Sequence, residues 1–209
     1  MALRAVVFDY GMVLTGEQDP TAYVELLRIT GLTREAFEPY YWADRHAYDE
    51  GKLTGLEFWQ KIVRDAGLDL APSAIDELNL WDARMWSTEN HDLIAWQLVL
   101  KQRGLLTGIL SNMGDYVHDH LVKTHTWIQR FDVKVWSYQL LLAKPDPAIY
   151  LYTLKALGTR PEETLFLDDK LENVRAARAL GMQSLVFSTV EQLRADLVAT
   201  GLDAELPLP

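Results

Sequence analysis

Cysteine is absent from the 209 residues. Structural disulfides and thiolate metal sites are therefore excluded, and the redox compartment stays open. No apolar run approaches the ~20 residues of a membrane-spanning helix. The apolar start Ala5-Val6-Val7-Phe8 is stopped by Asp9 and is too short for a signal-peptide core. Basic residues are in the minority, 20 Lys and Arg against 30 Asp and Glu, for a formal net charge of −10. A nucleic-acid partner needs a concentrated basic surface, so this balance argues against one. It does not exclude a small phosphate ligand, because one lysine or one metal ion can invert the field inside a pocket. There is no internal repeat and no low-complexity segment. The expectation is a cytoplasmic monomer or homodimer with no nucleic-acid and no membrane partner.

What is present is enough apolar material, 49% of residues, to bury a full core. Five short apolar runs read as buried parallel strands, at 4–8, 106–110, 133–136, 164–167 and 183–187. Helical patterns over 90–103, 147–157 and 171–180 separate several of them, followed by Gly104, Gly158 and Gly181 at C-cap positions. Strands alternating with helices of this length predict an α/β fold with a parallel sheet. One stretch breaks the rhythm. Residues 17–86 show no strand pattern and read as helices near 20–30, 33–48, 53–66 and 72–86, divided at Gly31, Gly51, Gly67 and Pro72. The expected organisation is an α/β core of residues 1–16 and 87–209 with a helical cap of residues 17–86 inserted after the first strand. The tail from Gly201 to Pro209 is expected to be loose.

The polar residues fall where the strands end. Asp9 follows the first strand, Ser111 and Asn112 the second, Lys144 lies past the third, and Asp168 and Asp169 follow the fourth. In an open parallel sheet those carboxyl ends line the ligand crevice. Taken singly each has a plain alternative: Asp9 a turn residue, Ser111-Asn112 turn residues, Lys144 a solvated loop lysine, Asp168-Asp169 a helix N-cap. Together they bring three carboxylates to one edge, where they repel and raise one another's pKa. One lysine and one divalent cation balance that charge, and hard carboxylate oxygens suit Mg²⁺ better than zinc. A carboxylate could then attack a metal-held phosphate in line, and water would hydrolyse the acyl-phosphate.

The residues also carry a family resemblance. Val6-Val7-Phe8-Asp9-Tyr10-Gly11-Met12-Val13-Leu14 resembles motif I of the haloacid dehalogenase-like (HAD) hydrolases. Leu110-Ser111-Asn112 resembles motif II, Ala143-Lys144-Pro145-Asp146-Pro147-Ala148-Ile149-Tyr150 motif III, and Phe166-Leu167-Asp168-Asp169 with Asn173 motif IV. The segment Tyr48 to Phe58 is similar to cap segments of the subgroup that includes the phosphatase domain of soluble epoxide hydrolase and bacterial sugar-phosphate phosphatases. The resemblance implies a Rossmann-like three-layer sandwich with an inserted helical cap, and a phosphatase of small phosphorylated metabolites, sugar phosphates among them. It implies Asp9 as nucleophile. Asp9, the Gly11 carbonyl and Asp169 would hold Mg²⁺, with Asp168 and Asn173 acting from the outer shell. Ser111, Asn112 and Lys144 would hold the phosphoryl group, and Lys144 would also steady Asp9.

Two departures stand out. Many phosphatases of the family carry a second Asp two residues after the nucleophile, as general acid and base; here that position is Gly11. The glycine often found before the motif III lysine is also absent. Two alternatives therefore remain, a 2-haloacid dehalogenase that uses Asp9 without metal, and a phospholigand-binding protein without turnover. The acid pair Asp168-Asp169 argues against dehalogenation, since a metal-free site gains nothing from crowding carboxylates. Trp59, Trp81, Trp86 and Trp96 sit at helical spacings and read as core. Trp42, Arg45, His46 and Tyr48 form a cluster that could face a substrate. His118, His120 and His125 read as exposed helix or loop rather than a zinc site.

Overall fold

The computed structural model describes residues 2–208; Met1 and Pro209 lie outside the described residues. Five strands, β1 (Ala5–Phe8), β2 (Leu106–Ser111), β3 (Val133–Trp136), β4 (Thr164–Asp168) and β5 (Gln183–Val186), form one sheet in the order β3-β2-β1-β4-β5. Every pairing in it is parallel. Alternate residues of β1 enter opposite layers. Val6 and Phe8 pack into one apolar cluster, Ala5 and Val7 into the other. A strand covered on both faces has no polar alternation, which is why β1 reads as a continuous apolar run.

The chain leaves β1 toward β2 on one side and returns from β3 to β4 on the other. β1 is therefore the topological switch point, and the crevice opens beyond its carboxyl end. Register does the rest. Phe8 pairs with Ile109 and with Leu167, so Asp9, one residue on, lies between the ends of β2 and β4. Its amide donates to the Leu167 carbonyl at 2.8 Å.

After β1 and before α6 (His91–Gln102) the chain forms five helices: α1 (Pro20–Thr30), α2 (Arg34–Ala43), α3 (Arg45–Asp49), α4 (Gly55–Asp65) and α5 (Pro72–Met85). Thr54 and Glu57 close a reciprocal capping box at the start of α4. Six more helices belong to the sheet layers: α6 (His91–Gln102), α7 (Asp115–Thr124), α8 (Ser137–Leu140), α9 (Pro147–Leu157), α10 (Leu171–Ala179) and α11 (Val190–Thr200). The expected single helix over 33–48 is two, because the backbone leaves helical geometry at Asp44 (φ −116°, ψ 10°). The expected loose tail is instead docked as far as Leu208. Leu206 is fully buried, and Glu205 accepts from the Leu3 amide at 2.6 Å. Its last apolar residues cover the sheet layer, a packing gain that local composition does not reveal. Among the described residues no helix is long and apolar enough to cross a membrane.

The inserted helices are latched to the core. The Gly55 amide donates to Asp115 Oδ1 at 2.9 Å, and the Ser137 hydroxyl donates to the Asp49 carbonyl. Gly51, at φ 83°, passes so close to Tyr138 that a Cβ would lie 2.5 Å from its carbonyl oxygen. The Tyr48 ring lies over Gly114, where a Cβ would sit 2.1 to 2.6 Å from three ring carbons. Gly114→Ala should therefore lower stability by about 1–3 kcal/mol through overpacking, read as a drop in the chemical denaturation midpoint. An unchanged midpoint would show that the latch is looser than these contacts.

Candidate active site

Lys144 organises the crevice. Its ammonium is almost fully buried and has three oxygens around it: Asp168 Oδ2 at 2.6 Å, Asp9 Oδ1 at 2.8 Å and the Leu110 carbonyl at 3.0 Å. These match the three protons of an ammonium group. Burial pulls its pKa down, but the Asp168 and Asp9 carboxylates outweigh that and hold it above the ordinary lysine value. The loop that carries it is fixed by Asn112. That amide donates to the Lys144 carbonyl and accepts from the Lys144 N–H, both at 2.8 Å. One amide hydrogen of Asn112 remains for a ligand.

Asp9 is buried just past β1. Oδ1 takes both of its protein bonds, from Lys144 and from the Tyr10 amide at 2.7 Å. Oδ2 is left without one. Burial raises the Asp9 pKa to about 7, opposed by Lys144 and assisted by Asp168 and Asp169. Asp168 is fully buried and saturated. Besides Lys144 it accepts from the Lys170 amide at 2.8 Å, and from Asn173 Nδ2 at 2.9 and 3.1 Å. Asp169 is partly exposed, and burial, then Asp168, push its pKa up. Ser111 is buried at the end of β2, and its hydroxyl has no hydrogen-bond partner among the described residues.

Carboxylate oxygens of Asp9, Asp168 and Asp169 lie within 4.8 Å of one another, the one His/Cys/Asp/Glu group among the described residues that could hold a metal. The donor set fits a hard divalent cation. Asp168 is already satisfied by protein donors, whereas Asp9 Oδ2 and the Asp169 carboxylate are available. Gly11 borders the same space. Gly11 itself has an ordinary extended backbone (φ −65°, ψ 133°), and a Cβ there would meet only the Trp86 ring at 3.8 Å. Neither conformation nor contact demands glycine. The next residue, Met12, is left-handed at φ 59°, a local strain of the kind that collects at functional loops.

All eight residues expected from sequence converge here. With the exception of the saturated Asp168, they line a cavity of about 320 Å³ that the inserted helices complete. Trp42, Arg45 and His46 of the proposed substrate-facing cluster line it. Tyr48 does not; it is buried and stacked on Phe58 at 4.8 Å between ring centroids. Among the further lining residues, which the sequence reading did not place at the site, are Trp86, read above as core, Met12 and Asp49. No local pattern distinguishes a tryptophan that fills a core from one that walls a cavity, and an acid late in a short helix reads as solvated surface. The histidines are a second correction. His125 is buried, with Nδ1 2.7 Å from Glu89, and His118 is largely covered.

The sequence profile of the family described as "Hydrolase: haloacid dehalogenase-like hydrolase" matches residues 3–181. The chain is 30% identical over 204 residues to Phosphatase MT3486 of Mycobacterium tuberculosis, covering 95% of this chain and 93% of that protein. It is 35% identical over 230 residues to mouse bifunctional epoxide hydrolase 2, covering all of this chain but 41% of that one. The HAD family enzyme BT-2542 of Bacteroides thetaiotaomicron, solved with magnesium and inorganic phosphate, superimposes with a TM-score of 0.74 at 22% identity, over 90% of this chain and 95% of that one.

The raised pKa of Asp9 gives a signed expectation. The unfolded chain releases this proton near 3.8, the folded chain near 7, so the folded state binds more protons between those values. The stability contributed by Asp9 is complete below pH 3.8 and is lost as pH rises toward 7. A cation needs the deprotonated carboxylates, so its stabilisation grows over the same window. Mg²⁺ should raise Tm more at pH 8 than at pH 5, and Asp9→Asn should abolish the increment. Equal increments at both pH values, or an increment that survives in the variant, would contradict this.

Proposed function

The chain belongs to the haloacid dehalogenase-like hydrolases, and from that premise we propose that it is a Mg²⁺-dependent phosphatase transferring the phosphoryl group of a small phosphorylated metabolite to Asp9 and then to water. The observation that carries this reading is the asymmetry of Asp9, with Oδ1 bonded to Lys144 and Tyr10 and Oδ2 free.

A divalent cation held by Asp9, Asp169 and the Gly11 carbonyl would supply two positive charges against the phosphate oxygens. Lys144 fixes the carboxylate so that Oδ2 presents two lone pairs, one toward the cation and one along the direction of attack. Because its three protons already face oxygens, Lys144 acts on the phosphoryl group through its field and through Asp9. The Ser111 hydroxyl and the remaining Asn112 hydrogen are donors for the phosphoryl oxygens. Asp168 and Asn173 hold the lysine and the turn before α10 in place. Attack by Oδ2 forms an aspartyl-phosphate and releases the alcohol; water then cleaves the phosphorus–oxygen bond to Asp9 and frees phosphate. Metal-free attack on carbon, as in a dehalogenase, would leave Asp169 crowded against Asp168 with only the fields of Lys170 and Lys144 to offset the repulsion.

Mg²⁺-dependent release of phosphate from p-nitrophenyl phosphate or acetyl phosphate is the expected activity. Asp9→Asn should reduce it to background while the far-ultraviolet circular dichroism stays unchanged. Persistent turnover in that variant, or chloride release from a 2-haloacid without metal, would overturn the assignment.

A further inference from the structure

With Gly11 where relatives carry an acid, the proton for the departing alcohol has no source on the β1 loop. The space beside Gly11 is walled by the Trp86 ring rather than by a polar group. The cavity nevertheless contains one acid outside the metal cluster, Asp49 at the end of α3. We propose that Asp49 is the general acid and base of the reaction, giving its proton to the leaving alkoxide and recovering one from the attacking water. The inference rests on the phosphatase reading above and assigns a group that the family motifs do not supply.

Charge counting on the buried side of the cavity supports it. The Arg45 guanidinium sits between two carboxylates, with Nε 2.9 Å from Asp49 Oδ1 and Nη1 3.0 Å from Asp82 Oδ1. One cation and two anions leave an excess negative charge in a region cut off from water, a costly state unless one carboxyl keeps its proton. Asp82 is fully buried and well supplied, with the Tyr41 hydroxyl at 2.7 Å and Arg45 at 3.0 and 3.3 Å. Asp49 has the single bond from Arg45, and its Oδ2 has none. Of the two carboxyls, Asp49 is therefore the one that takes up a proton, and its side chain keeps 17% exposure.

The charged and titratable groups that act on Asp49 agree. Burial is the largest influence and raises its pKa; Arg45 opposes it, Asp82 adds to it, and Lys170 across the cavity lowers it, leaving a value of about 6. Tyr48 beside Arg45 is neutral, its pKa driven far up by burial. The acid is also held from the core side, since the Asp49 carbonyl accepts from Ser137. His46, the other proton carrier of the cavity, is 70% exposed and lies 3.5 Å from Glu50 at the rim. In the first step the Asp9 oxygen–phosphorus bond forms, the ester bond breaks, and the Asp49 proton passes to the ester oxygen. In the second, water attacks phosphorus, its proton returns to Asp49, and the Asp9 carboxylate is released.

The test compares two leaving groups in the Mg²⁺-loaded protein, p-nitrophenyl phosphate, whose phenolate leaves unprotonated, and butyl phosphate, whose alkoxide does not. The readout is kcat/KM, which ends at alcohol release. Asp49→Asn should lower kcat/KM for butyl phosphate by ~10²–10⁴-fold and for p-nitrophenyl phosphate by less than about tenfold. The loss should fall on kcat rather than KM. The decline of the wild-type butyl phosphate profile above pH about 6 should disappear in the variant. Tm should hold, because Arg45 keeps Asp82 as a partner. Equal losses with both esters, a rise in KM alone, or no loss at all would overturn the role while leaving the phosphatase reading intact. Absence of metal-dependent turnover of either ester by the wild type would overturn that reading, and this inference with it.

Discussion

A buried ammonium group among three oxygens holds the ends of β1, β2 and β4 together. Without Lys144, Asp9 and Asp168 would bring two negative charges to adjacent strand ends with no counter-ion inside the protein. With it, one charge is balanced and the other two, shared with Asp169, call for a cation. The fold arranges this economically. A parallel sheet whose middle strand is the switch point gathers the ends of β1, β2 and β4 at one crevice, and the strand pairings set Asp9 between its neighbours. The site is thus a consequence of register as much as of residue identity.

The second layer of the site comes from the helices α1 to α5 that follow β1. Their contacts with the core are tight at Gly51, Gly55 and Gly114, where close approach leaves no room for a side chain. That closeness brings Arg45, Asp49 and Trp86 into the cavity lined by Asp9 and Asp169. Its polar group is an Arg–Asp–Asp arrangement with one carboxyl too many, facing a phosphoryl site that lacks the usual acid. The two imbalances are complementary: a proton stored over the cavity is what the leaving group needs.

Much of this was legible in the sequence, for physical reasons. Buried parallel strands leave short apolar runs, and a polar residue directly after such a run must sit at the crevice. Asp9, Ser111 and the Asp168-Asp169 pair are placed by that rule, whereas Lys144, beyond α8, is placed by its motif. Partners set by tertiary contact could not. Nothing in the sequence says that Asn112 ties down the Lys144 loop, that Arg45 bridges α3 and α5, or that Trp86 walls a cavity rather than filling a core. The tail after Gly201 failed for a similar reason: Leu206 and Leu208 are buried by the layer they cover, not by a pattern of their own.

The account turns on a covalent bond between Asp9 and the transferred phosphoryl group. Acid quench during turnover with Mg²⁺, borohydride reduction of any acyl-phosphate, and peptide mass spectrometry would locate that bond directly. Reduction to homoserine at position 9, dependent on both substrate and metal, is the predicted result. An unmodified position 9 under conditions of active turnover, or the modification at another carboxylate, would contradict it.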